Sequence, residues 1–307
     1  MSSSSSMTLP FSDDTLSSIS SEISIIRRLS ESKYPVYLAK NSRTNQLVAT
    51  KAFPHNDKRY QKEKSMLQSI DHPHIVKLQS IMDQTDVQGS TKSCLNLEYA
   101  PYGDLLDIIQ DHGRMPEKLV RTLFHQLLDA ISYLHEHNIA HMDIKVDNIL
   151  IDGNFHLKLT DFDLAQEINS VKLEARGTPG CRAPEVINGE CHDFKAADVY
   201  SLAVALFILL SGCPPYSENN VGSGYEYDSY YKVMRADIAK FWNVHSRYRG
   251  DADFYTNAFK ALFYMMIQED PHKRITINDI KRTHWYQGPI YENEQEIQEA
   301  MKNYLKL

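Results

Sequence analysis

The chain has 307 residues, of which 42% are hydrophobic and 10% aromatic, so it can bury a large core in one domain or in two lobes. This composition excludes a wholly disordered chain. The formal net charge of −7 argues against a duplex nucleic-acid binder, because neutralising phosphates requires a surplus of Lys and Arg over Asp and Glu. We therefore expect no nucleic-acid partner.

The cysteines and the apolar runs indicate in which cellular compartment the chain is expected to reside. The spacing of the four cysteines is too wide for a Cys-x-x-Cys metal or redox pair; they are Cys94, Cys181, Cys191 and Cys213. The first residues also lack the basic start and the apolar run that are typical of a secretory leader. The longest strongly apolar run, residues 202–210, is far shorter than the roughly 20 residues that a bilayer crossing needs, so it predicts a buried helix. We expect reduced thiols, a cytoplasmic location and no membrane partner.

The first third of the chain is predicted to be a tail followed by a small sheet. Residues 1–24 are rich in serine and lack an apolar run, so we expect them to be disordered. From Ile25 to Tyr99, apolar residues occur in short β-rich bursts, with one helical stretch at residues 60–70. The pattern predicts an N-terminal lobe over residues 25–99, built from a sheet and one main helix.

Helical spacing of apolar residues begins after Gly103. Between Leu119 and Leu134, apolar residues recur every three or four positions behind Pro116, a favourable first-turn residue. This periodicity predicts a larger, mostly helical C-terminal lobe over residues 103–287.

The last segment, residues 288–307, is predicted to contain an acidic helix. Ile297, Met301, Tyr304 and Leu305 fall on one face, while several glutamates make the segment acidic, unlike the basic helices that calmodulin binds. We favour a solvated helix that packs on the C-terminal lobe. A contact with a regulatory partner is the alternative.

Polar residues that suit catalysis concentrate in the middle of the chain. They read His141-Met142-Asp143-Ile144-Lys145-Val146-Asp147-Asn148, followed after an apolar strand by Asp161-Phe162-Asp163. Phosphoryl transfer requires a carboxylate that receives the hydroxyl proton and oxygen ligands for Mg²⁺. This stretch offers both, and its spacing resembles the catalytic and metal-binding loops of eukaryotic protein kinases.

The resemblance extends over residues 25–287, because further motifs follow in the family's order. These are Val48-Ala49-Thr50-Lys51, Leu97-Glu98-Tyr99-Ala100 and Gly177-Thr178-Pro179-Gly180-Cys181-Arg182-Ala183-Pro184-Glu185. A lone Asp-Phe-Asp is commonly a turn beside a core Phe, but that reading does not explain the ordered set. The resemblance implies an α+β, bilobal protein kinase fold. Lys145 and Thr178 match the Ser/Thr type, and the Gly-Thr-Pro-Gly segment is similar to the calcium/calmodulin-dependent protein kinase group.

The resemblance also implies an ATP site. Lys51 would hold the α and β phosphates, with Glu63 as its partner. The other positions that the resemblance assigns to nucleotide binding are Val36, Ala49, Leu97, Glu98, Ala100, Asp104 and Leu150.

Catalytic and structural roles follow from the same resemblance. Asp143 would orient and deprotonate the substrate hydroxyl, Lys145 would stabilise the moving γ-phosphate, and Asn148 and Asp161 would hold Mg²⁺. Two structural roles are also implied, Asp198 as the anchor of the catalytic loop and Arg274 as the partner of Glu185.

Three positions depart from the family pattern. The loop that should read Gly-x-Gly-x-x-Gly contains no glycine between Ser30 and Val36, so we expect a stiffer cover that donates fewer amides to phosphate. We call residues 30–36 the roof loop. Asp163 replaces a flexible glycine, which predicts a backbone cost if the left-handed conformation is kept. Met142 replaces an arginine that pairs with an activation-loop phosphate in many relatives.

The sequence therefore predicts a Ser/Thr protein kinase that uses ATP and Mg²⁺ and acts on a protein substrate. The competing hypothesis, motivated by the roof loop and Asp163, is a pseudokinase that serves as a scaffold or a nucleotide-binding module.

Two finer expectations concern substrate choice and regulation. Asp104 and Asp147 match acidic positions that face an upstream arginine in basophilic relatives, whereas Ile208 occupies a third such position, so we expect a moderate preference for one upstream Arg. Met142 and the fixed charge of Glu174 predict that activation-loop phosphorylation is unnecessary.

Overall fold

The computed structural model describes residues 22–85, 91–170, 177–221, 224–248, 250–251 and 253–307. Of the tail predicted to be disordered, residues 1–24, the first 21 residues lie outside this part of the chain. Ile23 and Ser24 were wrongly included in the tail, because they begin the first strand and pair with the second. The chain divides into two compact units, one built from residues up to 69 together with 77–99 and the other from residues 70–76 together with 100–307.

The first unit is a five-stranded antiparallel sheet with one helix. Its strands lie in the order β1-β2-β3-β5-β4. The elements are β1 (Ile23–Ser30), β2 (Val36–Asn41), β3 (Leu47–Pro54), α1 (Lys58–Gln68), β4 (Leu78–Thr85) and β5 (Thr91–Glu98).

Local sequence explains where these elements begin and pack. Asp57 caps α1 by accepting a hydrogen bond from the Arg59 backbone N–H at 2.7 Å. On the sheet, Ile23, Ala39 and Val48 are buried together in one hydrophobic cluster. These β-branched and small residues suit a pleated surface that is covered on one side.

The second unit is mostly helical over its described residues. Its helices are α2 (Leu105–His112), α3 (Glu117–Glu136), α4 (Pro184–Asn188), α5 (Phe194–Ser211), α6 (Ser229–Ala236), α7 (Ile238–Tyr248), α8 (Asn257–Met266), α9 (Ile277–Ile280) and α10 (Glu294–Leu305). Short antiparallel pairs connect them: β6 (Ile139–Ala140) with β9 (Gln166–Glu167), β7 (Ile149–Ile151) with β8 (Leu157–Leu159), and β10 (Glu218–Val221) with β11 (Gly224–Tyr227).

Helix α5 forms the centre of the second unit because it is apolar on nearly every side. Asp193 caps its start by accepting a hydrogen bond from the Ala196 N–H, and Gly212 ends it in the left-handed conformation with φ of 73°. By length and composition α5 qualifies as a membrane span, but 89% of it is buried inside the protein, as in a core helix. The apolar run at residues 202–210 is therefore the buried helix that the sequence predicted.

The C-terminal helix is shorter than the acidic segment predicted at residues 288–307. It begins after Asn293, whose side chain accepts the Glu296 N–H, because that cap fixes the first turn there. Its Ile297 and Met301 are buried, and the Tyr304 hydroxyl donates to the Gly113 backbone oxygen at 2.5 Å. The apolar face of α10 is therefore packed within the second unit.

Candidate active site

The loop at residues 141–148 is held by a buried carboxylate on α5. Asp198 Oδ2 accepts the His141 N–H at 2.9 Å and lies 2.9 Å from Nε2 of His135, while Oδ1 accepts the Met142 N–H at 2.8 Å. Asp198 is fully buried, and Met142 has a positive φ of 63°, which is a strained conformation for a residue with a Cβ. Asp198 therefore stabilises a backbone turn that would otherwise be unfavourable.

Three polar side chains contact the carboxylate of Asp143. Thr178 Oγ1 donates to Oδ1 at 2.6 Å and Asn148 Nδ2 donates to Oδ2 at 3.1 Å. Lys145 Nζ lies 3.2 Å from Oδ2 and donates to Thr178 Oγ1 at 3.0 Å. These contacts fix the orientation of a largely buried carboxylate that can accept a proton from a substrate hydroxyl.

Lys145 carries its positive charge beside this carboxylate. Burial alone lowers the pKa of the Lys145 ammonium, but the carboxylates of Asp143, Asp147 and Asp161 outweigh it, so the pKa lies above its ordinary value. The ammonium is therefore protonated throughout the neutral range. A permanent cation next to a proton acceptor suits the stabilisation of a negatively charged group in transfer.

Asn148 and Asp161 offer oxygen ligands of the kind that Mg²⁺ prefers. Asn148 Nδ2 also donates to the Asp143 backbone oxygen at 2.8 Å, so Oδ1 of Asn148 is the atom left for a metal. No group of three or more His, Cys, Asp or Glu side chains in the described chain could hold a metal ion alone. Mg²⁺ bound together with nucleotide phosphates requires only one or two protein ligands, so the two residues fit that ion.

The backbone cost expected at Asp163 falls two residues earlier. Asp161 has a positive φ of 65°, whereas Asp163 does not belong to the described positive-φ residues. The neighbouring Phe162 is fully buried and its ring packs edge-on against His141, with 5.0 Å between ring centroids. The condition for a backbone cost at Asp163 is therefore not met, because the left-handed turn is made at Asp161, next to the buried Phe162.

The segment at residues 177–185 touches the same loop. Gly177 has φ of 64°, and a Cβ built there would lie 2.9 Å from the Met142 backbone oxygen, so only glycine fits without a shift. At the other end, both terminal nitrogens of Arg274 donate to Glu185, at 2.6 and 3.0 Å, and both side chains are buried. The resemblance implied this pair, and the geometry brings it together.

The first unit contains a buried ion pair between Lys51 on β3 and Glu63 on α1. Nζ of Lys51 donates to both carboxylate oxygens of Glu63, at 2.9 and 2.7 Å, and both residues are buried. A buried pair of this kind is costly to break, since it would leave one charge unpaired. It holds the ammonium in a defined place on the sheet.

Four of the residues predicted to bind nucleotide share one face of the first unit's sheet. Val36 pairs with Lys51 and Ala49 pairs with Leu97 across antiparallel strands, while Ala49 and Lys51 are two residues apart on β3. Residues directly opposite each other, and residues two apart, project from the same side of a sheet. Apolar side chains and one cation are thus placed together. Glu98 ends β5, and its N–H donates to the Lys77 oxygen at 2.9 Å.

The other predicted nucleotide residues, Ala100, Asp104 and Leu150, lie in the second unit. Asp104 forms a β-bridge with Leu150 and caps α2 by accepting the Asp107 N–H at 2.9 Å. Burial raises the pKa of the Asp104 carboxyl, and the charges of Asp107 and Asp147 raise it further. Asp104 therefore has a capping role that the sequence did not predict, beside the role in nucleotide binding that the resemblance implied.

The roof loop is anchored by an aromatic side chain instead of glycine turns. Tyr34 is buried, its ring centroid lies 4.8 Å from that of Phe53, and its hydroxyl donates to Asp57 Oδ2 at 3.3 Å. Ser32 Oγ donates to the Tyr34 backbone oxygen at 2.7 Å, and Ser30 Oγ accepts the Val36 N–H at 3.3 Å. The loop is thus fixed by its own side chains.

The chain matches the protein kinase domain family over residues 15–286. Similar proteins include CBL-interacting protein kinase 11 of Oryza sativa subsp. japonica, 31% identical over 87% of this chain and 52% of the relative. Serine/threonine-protein kinase SIK2 of Gallus gallus is 30% identical over 88% of the chain and 32% of the relative. SNF1-like protein kinase ssp2 of Schizosaccharomyces pombe is 31% identical over 88% of the chain and 44% of the relative.

The chain belongs to the protein kinase family. The identification made from the motifs, a eukaryotic protein kinase of the Ser/Thr type, is confirmed, as is the α+β kinase fold. The kinase spans from about a third to about half of the length of these relatives. The family match begins at residue 15, within the tail predicted to be disordered.

Two residues of this kinase site were missed by sequence reasoning. His135 is buried and contacts Asp198. Its position four residues after Ile131, on the apolar stripe of α3, was an available signal. Glu218 contacts Gly180 and Arg182, and nothing in the local sequence indicated it.

Proposed function

We propose that the chain is an ATP-dependent kinase that phosphorylates serine or threonine in proteins. The observation that supports this proposal is the Asp143 carboxylate, oriented by Thr178 and Asn148 and accompanied by the Lys145 ammonium. A fixed proton acceptor beside a permanent cation suits phosphoryl transfer, which depends on positioning and on stabilising charge.

Each of these groups has a task in the reaction. Asp143 accepts a hydrogen bond from the substrate hydroxyl and takes its proton as that oxygen bonds to the γ-phosphorus of ATP, while the bond from this phosphorus to the β-phosphate oxygen breaks and ADP leaves. Lys145 stabilises the negative charge of the group in transfer, and the Thr178 hydroxyl keeps the Asp143 carboxylate in place. ATP with Mg²⁺ supplies the phosphoryl group when bound. Asn148 and Asp161 would hold the metal.

The residues of the first unit suit the nucleotide. Lys51, held by Glu63, would contact the α and β phosphates. Val36, Ala49 and Leu97 would contact the adenine, since a flat apolar ring binds against apolar side chains. Glu98 and Ala100 would offer backbone groups to the adenine edge, and Asp104 would reach the ribose.

The second candidate is a pseudokinase, which the altered roof loop favours. Its serine hydroxyls are engaged with the loop's own backbone, so it offers phosphates fewer adaptable groups than glycine turns do. An amide left without its phosphate costs about 1 to 3 kcal/mol, or roughly 5 to 150-fold in affinity. This loss is compatible with millimolar cellular ATP, so we favour an active enzyme.

Calorimetric titration with ATP separates the two candidates when it is run beside a radiolabelled phosphate-transfer assay. We expect weak to moderate ATP binding that requires Mg²⁺, together with measurable transfer to a peptide. Lys51→Met is the control, because it removes the ammonium and leaves Glu63 buried without its charge partner. It should weaken ATP binding and abolish transfer.

The outcomes of this experiment point to different residues. Absence of ATP binding by the unaltered chain contradicts the enzyme and supports the scaffold, with the rigid Pro35 of the roof loop as the cause. Binding that requires Mg²⁺ without transfer places the defect near the metal, at Asp163.

We further propose a protein substrate with one arginine upstream of the acceptor. Asp104 and Asp147 would pair with that arginine, whereas the apolar Ile208 would not support a second one. Asp104 also caps α2, where its Oδ1 accepts the Asp107 N–H at 2.9 Å. Paired peptides with and without the upstream Arg therefore serve as substrates in the transfer assay.

We propose that the kinase does not require activation-loop phosphorylation. Met142 cannot bind a phosphate; it is buried, and its N–H donates to Asp198. Glu174, which was predicted to supply a fixed negative charge, lies outside the described residues. Ser170 is the phosphorylatable residue between Asp163 and Gly177, and its Oγ donates to the Glu167 oxygen at 2.6 Å. Ser170→Ala and phosphatase-treated protein should both keep full activity. A large loss of activity in either sample would contradict the proposal.

Two further parts of the proposal concern partners and location. The packed apolar face of α10 supports the view that this helix completes the second unit, and its exposed acidic side is where a regulatory partner would bind. The four free cysteines support a reducing, cytoplasmic location.

A further inference from the structure

Glu218, far from the catalytic motifs in sequence, holds the segment that contacts Asp143. Its Oε2 accepts the Gly180 N–H at 2.8 Å, and its Oε1 accepts from Nε and NH2 of Arg182 at 3.1 and 2.5 Å. The two side chains are 4% and 1% exposed. One carboxylate thus fixes both the backbone and a side chain of the same short segment.

This segment lies where a substrate must approach. Thr178 contacts Asp143, so a peptide whose hydroxyl meets Asp143 places its neighbouring residues, about 3.5 Å apart along an extended chain, next to residues 178–182. A Cβ built on Gly180, where φ is 81°, meets no atom within 4 Å. Space beside the held segment is therefore open to a bound peptide.

The energetics of the pair make it a strong constraint. A buried ion pair whose members are fully hydrogen-bonded can be accommodated in the interior, but removing either member takes away the charge that compensates the other. Burial raises the pKa of the neighbouring Cys181 thiol to about 12, so that side chain is neutral. The Arg182–Glu218 pair therefore holds the part of the segment around Gly180 and Arg182, while Asp143 and Lys145 hold Thr178.

We propose that Glu218 is a positioning residue for the protein substrate, acting through Arg182 and Gly180 to hold residues 178–182 beside Asp143. The proposal rests on the kinase activity proposed above and adds a determinant of peptide binding. We expect the Arg182–Glu218 pair to affect the KM for peptide and the turnover. We expect no effect on ATP affinity, because neither residue belongs to the nucleotide site.

The test uses single and double variants of the full chain. Arg182→Met removes the cation that pairs with the buried Glu218 carboxylate, and Glu218→Leu removes that carboxylate and with it the acceptor of the Gly180 N–H. Each variant should lower kcat/KM for peptide at least about tenfold. The double variant R182M/E218Q removes both charges and keeps an acceptor for Gly180. It should recover to within about threefold of the unaltered chain.

Glu269→Gln is the matched control. Glu269 pairs with Arg235 at 2.8 Å in the same unit, but that ion pair is partly exposed, with side chains 47% and 30% exposed, so its loss should leave peptide kinetics unchanged. ATP KM should stay constant in all variants. Hydrogen exchange of the Gly180 amide should accelerate in Glu218→Leu and stay slow in R182M/E218Q.

The readouts separate this proposal from the proposed function. If the unaltered chain transfers no phosphate, the kinase activity fails, while the Gly180 exchange rates and calorimetric peptide binding still judge the role of Glu218. Unchanged peptide KM and Gly180 exchange in Glu218→Leu would overturn the proposal. The proposal would also be overturned if kcat/KM for peptide in the double variant were no higher than in the single variants. A rise in the KM for ATP together with the KM for peptide would overturn it as well, because it indicates general destabilisation.

Discussion

Replacing Asp143 with asparagine should lower the rate of phosphate transfer by about 100 to 10,000-fold while ATP affinity stays unchanged. Asparagine preserves the size of the side chain and can still accept the Thr178 hydroxyl that now donates to Oδ1 at 2.6 Å. It cannot take up the substrate proton. Radiolabelled transfer under saturating ATP measures the loss, and calorimetry measures the binding that remains.

A matched variant distinguishes loss of the base from loss of a negative charge. Asp111→Asn makes the same chemical change at an exposed position on α2, away from the catalytic loop, and should keep full turnover. An Asp143→Asn protein that transfers phosphate at the unaltered rate would contradict the role of Asp143 as the proton acceptor.

Replacing Asp198 with asparagine should cost both stability and activity. The Asp198 carboxylate accepts hydrogen bonds from two backbone N–H groups and contacts the His135 ring. Asparagine has only one acceptor oxygen, and its N–H₂ group would face these donors. Each buried donor left unsatisfied costs about 1 to 3 kcal/mol. Thermal unfolding should show a lower Tm, and residual folded protein should transfer phosphate slowly because the strained Met142 turn is released.

The same helix supplies the control for this second change. Asp193→Asn replaces the cap of α5, where asparagine accepts the Ala196 N–H as well as aspartate does. Its Tm should match that of the unaltered chain. Equal Tm values for the two variants would show that the three contacts of Asp198 contribute little, which would contradict its role as an anchor.

The sequence could predict that the residues of the loop at 141–148 lie together, because they are close along the chain. Asp143, Lys145 and Asn148 lie within six residues, so their meeting at one carboxylate follows from a short loop. Lys51 and Glu63 were also predictable, because a strand followed directly by a helix places their side chains on facing surfaces. The roles expected of these residues came from the family resemblance.

Other contacts could not be predicted because they join distant residues without a local pattern. Glu218 meets Arg182 across 36 positions, and a glutamate at the start of a short strand is ordinarily a solvated charge. The roof loop shows a second limit. Its lack of glycine was evident, but the burial of Tyr34 against Phe53 depends on the packing of the whole sheet.

The anchored roof loop changes the entropy of ligand binding. A glycine-rich loop that becomes ordered on binding loses about 1 to 2 kcal/mol of conformational entropy for each residue fixed. In this kinase the Tyr34 ring already rests on Phe53, and the Lys51 ammonium lies 5.3 Å from the centroid of the same Phe53 ring. Much of the ordering is therefore completed during folding. If the chain binds a nucleotide as proposed, the nucleotide would meet a preformed loop, and the weaker amide contacts would be offset in part by a smaller loss of chain entropy.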